Sequence, residues 1–242
     1  MVYQTVHNRL SEVCRRNGAD LKIEIFSDGT APGYESSEGV LRLNLARIPK
    51  NDYEKYASYY ALEYLIPRLQ LETSRLILRR FRKEDAEDCY AFLSDPDGAY
   101  MDCCKPFSVM NKEYYERLQL FVDRTGQYAI VHKASGKVIG TVNLFEDNSR
   151  AVDAMEIGYA ISPEYQRQGY AFEAISALLH LFQEDLMLDM VTAGILPENT
   201  ASINLLKKLG FHSEGMRRKA VWHEGLGKPT DLQYYYRDRT SD

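Results

Sequence analysis

Hydrophobic positions change period several times along the chain, and each change marks an element. Val6, Leu10 and Val13 recur at helical spacing and stop near Gly18, which predicts a first helix. Residues 21–26 and 40–45 read as two strands, with Asp28-Gly29 and a Gly/Ser-rich run over 33–39 between them. Asn51 or Asp52 stands where it can cap a second helix. In that helix Tyr53, Tyr56, Ala57, Tyr60 and Tyr64 share one face, and Pro67 ends it. The tyrosine stripe reads as packing. Together these elements make an α-β-β-α module over residues 1–70.

Residues 75–81 then read as a strand, and Ala86, Cys89, Tyr90 and Leu93 as one face of a helix. Arg82 stands at the cap of that helix, so its start is expected to fray. Residues 94–107 read as loop. Asn111 caps a helix through Tyr114, Leu118, Phe121 and Val122, and 128–131 with 138–144 form a hairpin. Ile157, Tyr159 and Ile161 alternate in a strand over 155–161 that Pro163 stops. Phe172, Ile175, Leu178, Leu179 and Phe182 return to helical spacing. A buried strand over 190–195, a helix capped by Asn199, and strands from Phe211 and over 232–236 complete the chain. The order β-α-α-β-β-β-α-β-α-β-β predicts a mixed α/β layer fold.

Between the alternating strand and its helix lies Gln166-Arg167-Gln168-Gly169-Tyr170-Ala171. The first turn of a helix carries free N–H groups and the positive end of the dipole. A tight turn before it gathers further N–H groups into an anion nest. Gly169 lets a ligand approach the backbone, Ala171 keeps the first turn narrow, and Arg167 adds a cation. The stretch lacks the Gly-Lys-Ser/Thr of a Walker loop and the Gly-x-Gly-x-x-Gly of a dinucleotide fingerprint. A plain strand–turn–helix joint remains an equal reading of the same residues.

Three blocks in order shift that balance. Gln-x-x-Gly-x-Ala at 166–171 resembles the acyl-CoA loop of the GNAT superfamily, the Gcn5-related N-acetyltransferases. Thr73-Ser74-Arg75-Leu76-Ile77-Leu78-Arg79-Arg80-Phe81 with Glu84-Asp85-Ala86 resembles the opening of its ribosomal-protein N-terminal acetyltransferase branch. Asn199-Thr200-Ala201-Ser202 and Lys207-Lys208-Leu209-Gly210-Phe211 resemble that branch's late helix and strand. The likeness runs from Leu71 to about Arg237, with nothing before it. It implies a GNAT domain over 71–242, built on a mixed, mostly antiparallel sheet with helices on both faces.

The resemblance also implies roles. Gln166, Arg167, Gln168, Gly169, Tyr170 and Ala171 would hold the pyrophosphate of acetyl-CoA. Ala160, Ile161 and Ser162 would carry its pantetheine arm like an added strand, with Asn199 and Ser202 on the other wall. An N–H near residues 159–161 would serve the oxyanion. Glu156, the one carboxylate within the central strand, is the candidate base, with His223 and Glu224 next in line. The reading of Glu156 as a wet-face or arginine-paired residue stays open. Ser202 matches a serine placed near the sulfur. Leu206 stands where many members carry a tyrosine acid. Implied is acetyl transfer to a primary amine of a protein N-terminus or a small molecule. The alternative is a non-catalytic acyl-CoA-binding regulatory module.

Composition adds bounds. The 242 residues hold 30 basic and 35 acidic side chains, a net charge of −5, so nothing draws the chain to nucleic acid or an anionic membrane. No apolar run approaches the ~18 residues of a membrane span. The four cysteines form no zinc-ligand pattern, so no metal is expected, and their sparseness suits a cytoplasmic protein. The expected partners are acetyl-CoA and an amine acceptor, with a homodimer as an option.

Overall fold

The computed structural model describes residues 2–37 and 39–239. The first helix, α1 (Val2–Arg16), is followed by β1 (Lys22–Phe26), β2 (Tyr34–Ser37), β3 (Val40–Asn44) and α2 (Tyr53–Leu65). Gly18 has φ +92, and a Cβ there would meet Gln70 at 2.8 Å, so only glycine makes this turn. β3 is central, parallel to β1 and antiparallel to β2. β2 lies in the run read from sequence as loop. It is an edge strand whose residues are intermediate or exposed, so backbone bonds to β3 form it without an apolar pattern. The expected cap of α2 also differs: a 3-10 turn over Lys50–Asp52 feeds the helix, and Asp52 makes no side-chain cap. Tyr53 and Tyr64 are buried, as the stripe predicts, while Tyr56 is exposed.

The remaining strands are β4 (Leu71–Glu72), β5 (Leu76–Arg80), β6 (Gln127–His132), β7 (Val138–Glu146), β8 (Ala154–Ile161), β9 (Met190–Ile195), β10 (His212–His223) and β11 (Lys228–Asp238). They form one sheet in the order β10-β11-β9-β8-β7-β6-β5-β4. Every neighbouring pair is antiparallel except β8 and β9. The helices are α3 (Ala86–Leu93), α4 (Pro96–Met101), α5 (Lys112–Asp123), α6 (Tyr170–Leu179) and α7 (Thr200–Lys208). α3 and α5 cover part of one face around Phe81, Cys89, Phe92, Leu118 and Val131. The other face packs under α6, α7 and α2. There Leu62 and Leu65 join Leu76, Leu78, Tyr128, Ile130 and Ile175 in one continuous core. The apolar core therefore crosses the boundary expected near residue 70. Lys55 Nζ reaches Asp189 at 2.7 Å and Tyr128 Oη donates to the Ile66 carbonyl across the same seam. A cavity of about 520 Å³ opens on the seam beside Tyr59, Glu63 and Glu146, away from the 166–171 turn.

Two further differences have local causes. The start of α3 is not frayed: a 3-10 turn over Lys83–Asp85 leads in, and the Asp85 carboxylate accepts the Arg82 N–H at 2.8 Å. Arg79 donates to both oxygens of the buried Asp85, at 2.9 and 2.8 Å, and so holds the capping carboxylate in place. The stretch read as loop contains α4, with the Asp95 side chain accepting the Gly98 N–H and Pro96 at the first helical position.

Candidate functional site

The parallel strands β8 and β9 pair at Ala154↔Met190, Met155↔Val191 and Glu156↔Thr192, and then part. β8 stays with β7 as far as Gly140↔Ile161, and β9 stays with β11 as far as Gln233↔Ile195. A wedge therefore opens between two strands that are each held on their outer side. Ser162 N donates to Ile139 O at 2.8 Å and Asp147 N to Ala154 O at 2.9 Å. In an antiparallel ladder every second residue turns its N–H and C=O to the same partner. Residues 154, 156, 158, 160 and 162 thus face β7, and Tyr159 and Ile161 face the wedge. This corrects the expected edge. Ala160 and Ser162 spend their backbone groups elsewhere, and the Ser162 carbonyl also accepts from Tyr165 N at 2.9 Å. Ser162 is 2 % exposed, with its Oγ unbonded. Ile161 keeps its N–H, while its carbonyl accepts from Gln166 Nε2 at 2.9 Å.

The chain leaves β8 through a 3-10 turn, Pro163–Tyr165, and enters α6 at Tyr170. Between them Arg167 has φ +58 and Gly169 φ +84. Two left-handed residues so close make a concave run of N–H groups that continues into the first turn of α6. Apart from its chain neighbours, the only heavy atom of the described residues within 4 Å of a Cβ placed on Gly169 is Arg75 Nη2, at 3.5 Å, so the approach to that backbone is open. Gln168 Nε2 donates to Glu164 O at 2.7 Å, which ties the turn to itself. Gln166, Arg167 and Gln168 are exposed; Ala171 is intermediate. Tyr170 is buried, its hydroxyl 3.2 Å from His132 Nε2. The sequence reading gave no role to Arg75 or Glu173, which brace this turn. Arg75 Nη1 donates to the Gln168 carbonyl at 3.1 Å and its Nε to Glu173 Oε2 at 2.6 Å.

A concave anion nest thus abuts a wedge with a free strand edge. The family described as acetyltransferase (GNAT) domain matches residues 75–212. The chain belongs to the GNAT acetyltransferase family. It is 32% identical over 177 residues to the uncharacterized N-acetyltransferase YoaA of Bacillus subtilis, covering 68% of this chain and 94% of that one. It is 25% identical over 172 residues to the [ribosomal protein uS5]-alanine N-acetyltransferase of Escherichia coli, covering 66% and 87%. Among solved structures, spermidine N-acetyltransferase from Vibrio cholerae in complex with CoA and spermine aligns with a TM-score of 0.55 at 20% identity, covering 69% and 98%. The GNAT chain is an acetyl-CoA-dependent acyltransferase.

On this GNAT sheet Glu156 points to the face left open beyond α3 and α5. Its cross-strand neighbours are Phe145 and Thr192. Tyr234 Oη lies 3.5 Å from Glu156 Oε2, and Arg217 sits over the Tyr234 ring at 3.7 Å. Burial raises the Glu156 pKa, and the charge of Asp147 adds to the rise; Arg217, Tyr234 and Arg150 oppose it. Asp147 is the contrast. Burial alone would raise it too, but donors from Ser149, Arg150 and Thr192 bring it down to about 2.

Side chains alternate along a strand, so Tyr159 points to the opposite face from Glu156. There its hydroxyl lies 3.5 Å from the Ser202 carbonyl. Glu156 and Ser202 are therefore not brought together on one face; the wedge lies between them. Asn199 caps α7, its Oδ1 accepting Ser202 N at 3.0 Å. Leu206 is fully buried. The two reserve bases differ in their contacts, and His223 Nε2 is buried with no hydrogen-bond partner among the described residues. His223 is fully buried, with Leu226 N 3.3 Å from its Nδ1 and its ring on Tyr100 at 4.7 Å. Glu224 pairs with Arg117 at 3.5 Å.

The sequence reading also missed Asp102. Solvent reaches it, yet enough protein surrounds the carboxyl for desolvation to push it up to about 7. Its charge is felt by Tyr159, Cys103 and Cys104. Asp102 directly follows α4, whose Tyr100 Oη donates to Glu198 at 2.9 Å beyond the end of β9. No local pattern marks this carboxylate, because long-range packing of α4 makes its surroundings.

Proposed function

We propose that the protein transfers the acetyl group of acetyl-CoA to a primary amine of a protein N-terminus or a small molecule. The observation that carries this is the parting of β8 from β9 after Glu156 and Thr192, directly beside the 166–171 turn. The turn's N–H groups, with Arg167 and Gln168 around them, suit a pyrophosphate. The free edge at Tyr159 and Ile161 suits an amide-bearing arm that pairs as an added strand. Asn199 and Ser202 form the far wall. The bound thioester supplies an activated acetyl group. An N–H of Tyr159 or Ile161, turned to the wedge, suits the role of donor to the oxygen on which charge develops. Glu156 takes the proton from the incoming ammonium, directly or through a water. Its raised pKa brings its basicity closer to that of a base working near neutral pH. Its place across the wedge from Ser202 fits cofactor and acceptor entering from opposite faces of the sheet. The test is CoA release over a panel of peptides with free N-termini, polyamines and amino acids, with mass spectrometry of the products. Acetylated product with one amine class names the acceptor; CoA binding without release on any amine would return the chain to the non-catalytic reading.

We also propose that residues 1–70 are a unit docked on the domain over 71–242. The family match starts at residue 75, and about a third of the chain lies outside the curated relative's 68% coverage. The shared core means that docking stabilises both parts. A chain beginning at Leu69 is expected to keep acetyl-CoA binding and to melt at least ~10 °C lower, since buried leucines such as Leu62 and Leu65 each contribute roughly 2–5 kcal/mol. An unchanged melting temperature would mean that the seam carries little energy; an insoluble product would mean that the two parts are one folding unit.

A further inference from the structure

We propose that Arg75 is the fixed cation of the phosphate turn and that Glu173 positions it. This rests on reading 166–171 as the pyrophosphate site. A guanidinium has five N–H donors in a rigid fork. In Arg75, Nε is held by Glu173 Oε2 at 2.6 Å and Nη1 by the Gln168 carbonyl at 3.1 Å. Its face lies on the Tyr170 ring at 4.3 Å. Nη2 has no acceptor among the described residues and stands 3.5 Å from where a Cβ on Gly169 would be. Two N–H groups are thus presented at the glycine by a side chain whose other contacts are already made. Arg167, the cation nearest in sequence, is exposed and its side chain is not held by any described residue, so it would lose rotamer freedom on binding.

Glu173 is bound on every side. Its Oε1 accepts from Thr73 Oγ1 at 2.6 Å, Ser74 Oγ at 2.9 Å and Arg75 N at 2.9 Å, and its Oε2 from Arg75 Nε. Burial would raise its pKa, but these donors bring it down to about 2, so it stays charged. A carboxylate in the first turn of α6 suits the helix dipole yet would repel a phosphate bound there. Arg75 removes that conflict. The carboxylate aims the guanidinium, and the guanidinium neutralises the carboxylate. Loss of Arg75 therefore removes a donor and uncovers a like charge together, whereas loss of the Glu173 charge only loosens the aim.

The experiment is titration calorimetry of CoA and of pantetheine, which lacks the phosphates and the nucleotide, on the full chain and on Arg75→Gln, Arg75→Lys and Glu173→Gln. Wild type should prefer CoA; equal binding of the two would overturn the phosphate reading of the turn, and this proposal with it. Given that preference, Arg75→Gln should weaken CoA by about 10–100-fold and leave pantetheine within about twofold. Glu173→Gln should lose less, and Arg75→Lys should recover part of the affinity, because an ammonium cannot span Glu173, Gln168 and a phosphate at once. Equal weakening of both ligands would mean a packing role and would sink the proposal, as would unchanged CoA affinity in Arg75→Gln. Should Arg75→Gln fail to fold, the same CoA-to-pantetheine ratio in Arg75→Lys and Glu173→Gln decides.

Discussion

Glu173 and Glu156 sit at the two ends of the same wedge and are treated oppositely. Glu173 has four donors and is held down to about 2. Glu156 has one long contact, to Tyr234 at 3.5 Å, and burial raises it. In the proposed reading the first is a charge that stays fixed, because it holds the shape of the turn that takes the phosphates. The second is a charge placed where protonation can change cheaply, as a base requires. If the proposed roles hold, the difference teaches that binding and chemistry need opposite electrostatic environments, and the two carboxylates on either side of one strand–turn–helix unit have them.

Gly169→Asp should give the largest effect, because it attacks the binding end alone. Gly169 has φ +84, where an L side chain is strained, and the new carboxylate would stand in the nest. CoA affinity measured by calorimetry should fall at least ~1000-fold, from lost access, strain and like charge together. Retained affinity in a folded variant would place the phosphates elsewhere.

Glu156→Gln attacks the other end. It keeps the shape and removes the basicity. The expected result is unchanged CoA affinity and kcat lower by about 100-fold at pH 7, recovering in part at higher pH as free amine accumulates. Stability should move the other way. A carboxyl whose folded pKa is raised holds its proton more firmly in the folded state, so its contribution falls as pH rises through that pKa. The glutamine variant should therefore melt no lower than wild type at pH 8. Wild-type kcat across the pH range would move the base to Asp102, a raised carboxyl whose charge reaches Tyr159.

What could be read in the sequence follows the same division. The turn at 166–171 was legible because backbone makes it: a glycine, a helix start and a preceding strand are local signals. Apart from β4 and α4, the order of the elements after residue 70 was legible from periodicity. Edge polarity was not read: naming 160–162 missed that the alternation set by Ser162 and Ile139 turns 159 and 161 to the wedge. Arg75 and Glu173 were silent because they lie far apart in sequence, and Arg75 reads alone as one polar residue at a strand start. β2 and α4 were missed for a related reason, since a partner strand forms the one and a capping carboxylate the other. Asp102 acquires its environment only from packing.

The smallest expected effect is the sharpest probe of Glu156. Five groups on four elements surround its carboxyl: Asp147 and Arg150 from the β7–β8 turn, Thr192 from β9, Arg217 from β10 and Tyr234 from β11. Burial and Asp147 raise the Glu156 pKa most, and Arg217 is the largest of the effects that favour the charged form. It does so from a position over the Tyr234 ring, with no direct bond to the carboxylate. Arg217→Met keeps much of the stem that covers Tyr234 and removes the charge. With that cation gone the ionised form is less favoured, so Glu156 should deprotonate only at higher pH. The acidic limb of kcat/KM should shift upward by that change, while the plateau at high pH, where the base is ionised in both proteins, stays within about twofold. Tyr234→Phe should move the limb the same way by a smaller step, because it removes one long hydrogen bond. Limbs that stay in place in both variants, with Glu156→Gln still impaired, would mean that the limb reports another group, and Asp102→Asn would then be the variant to move it.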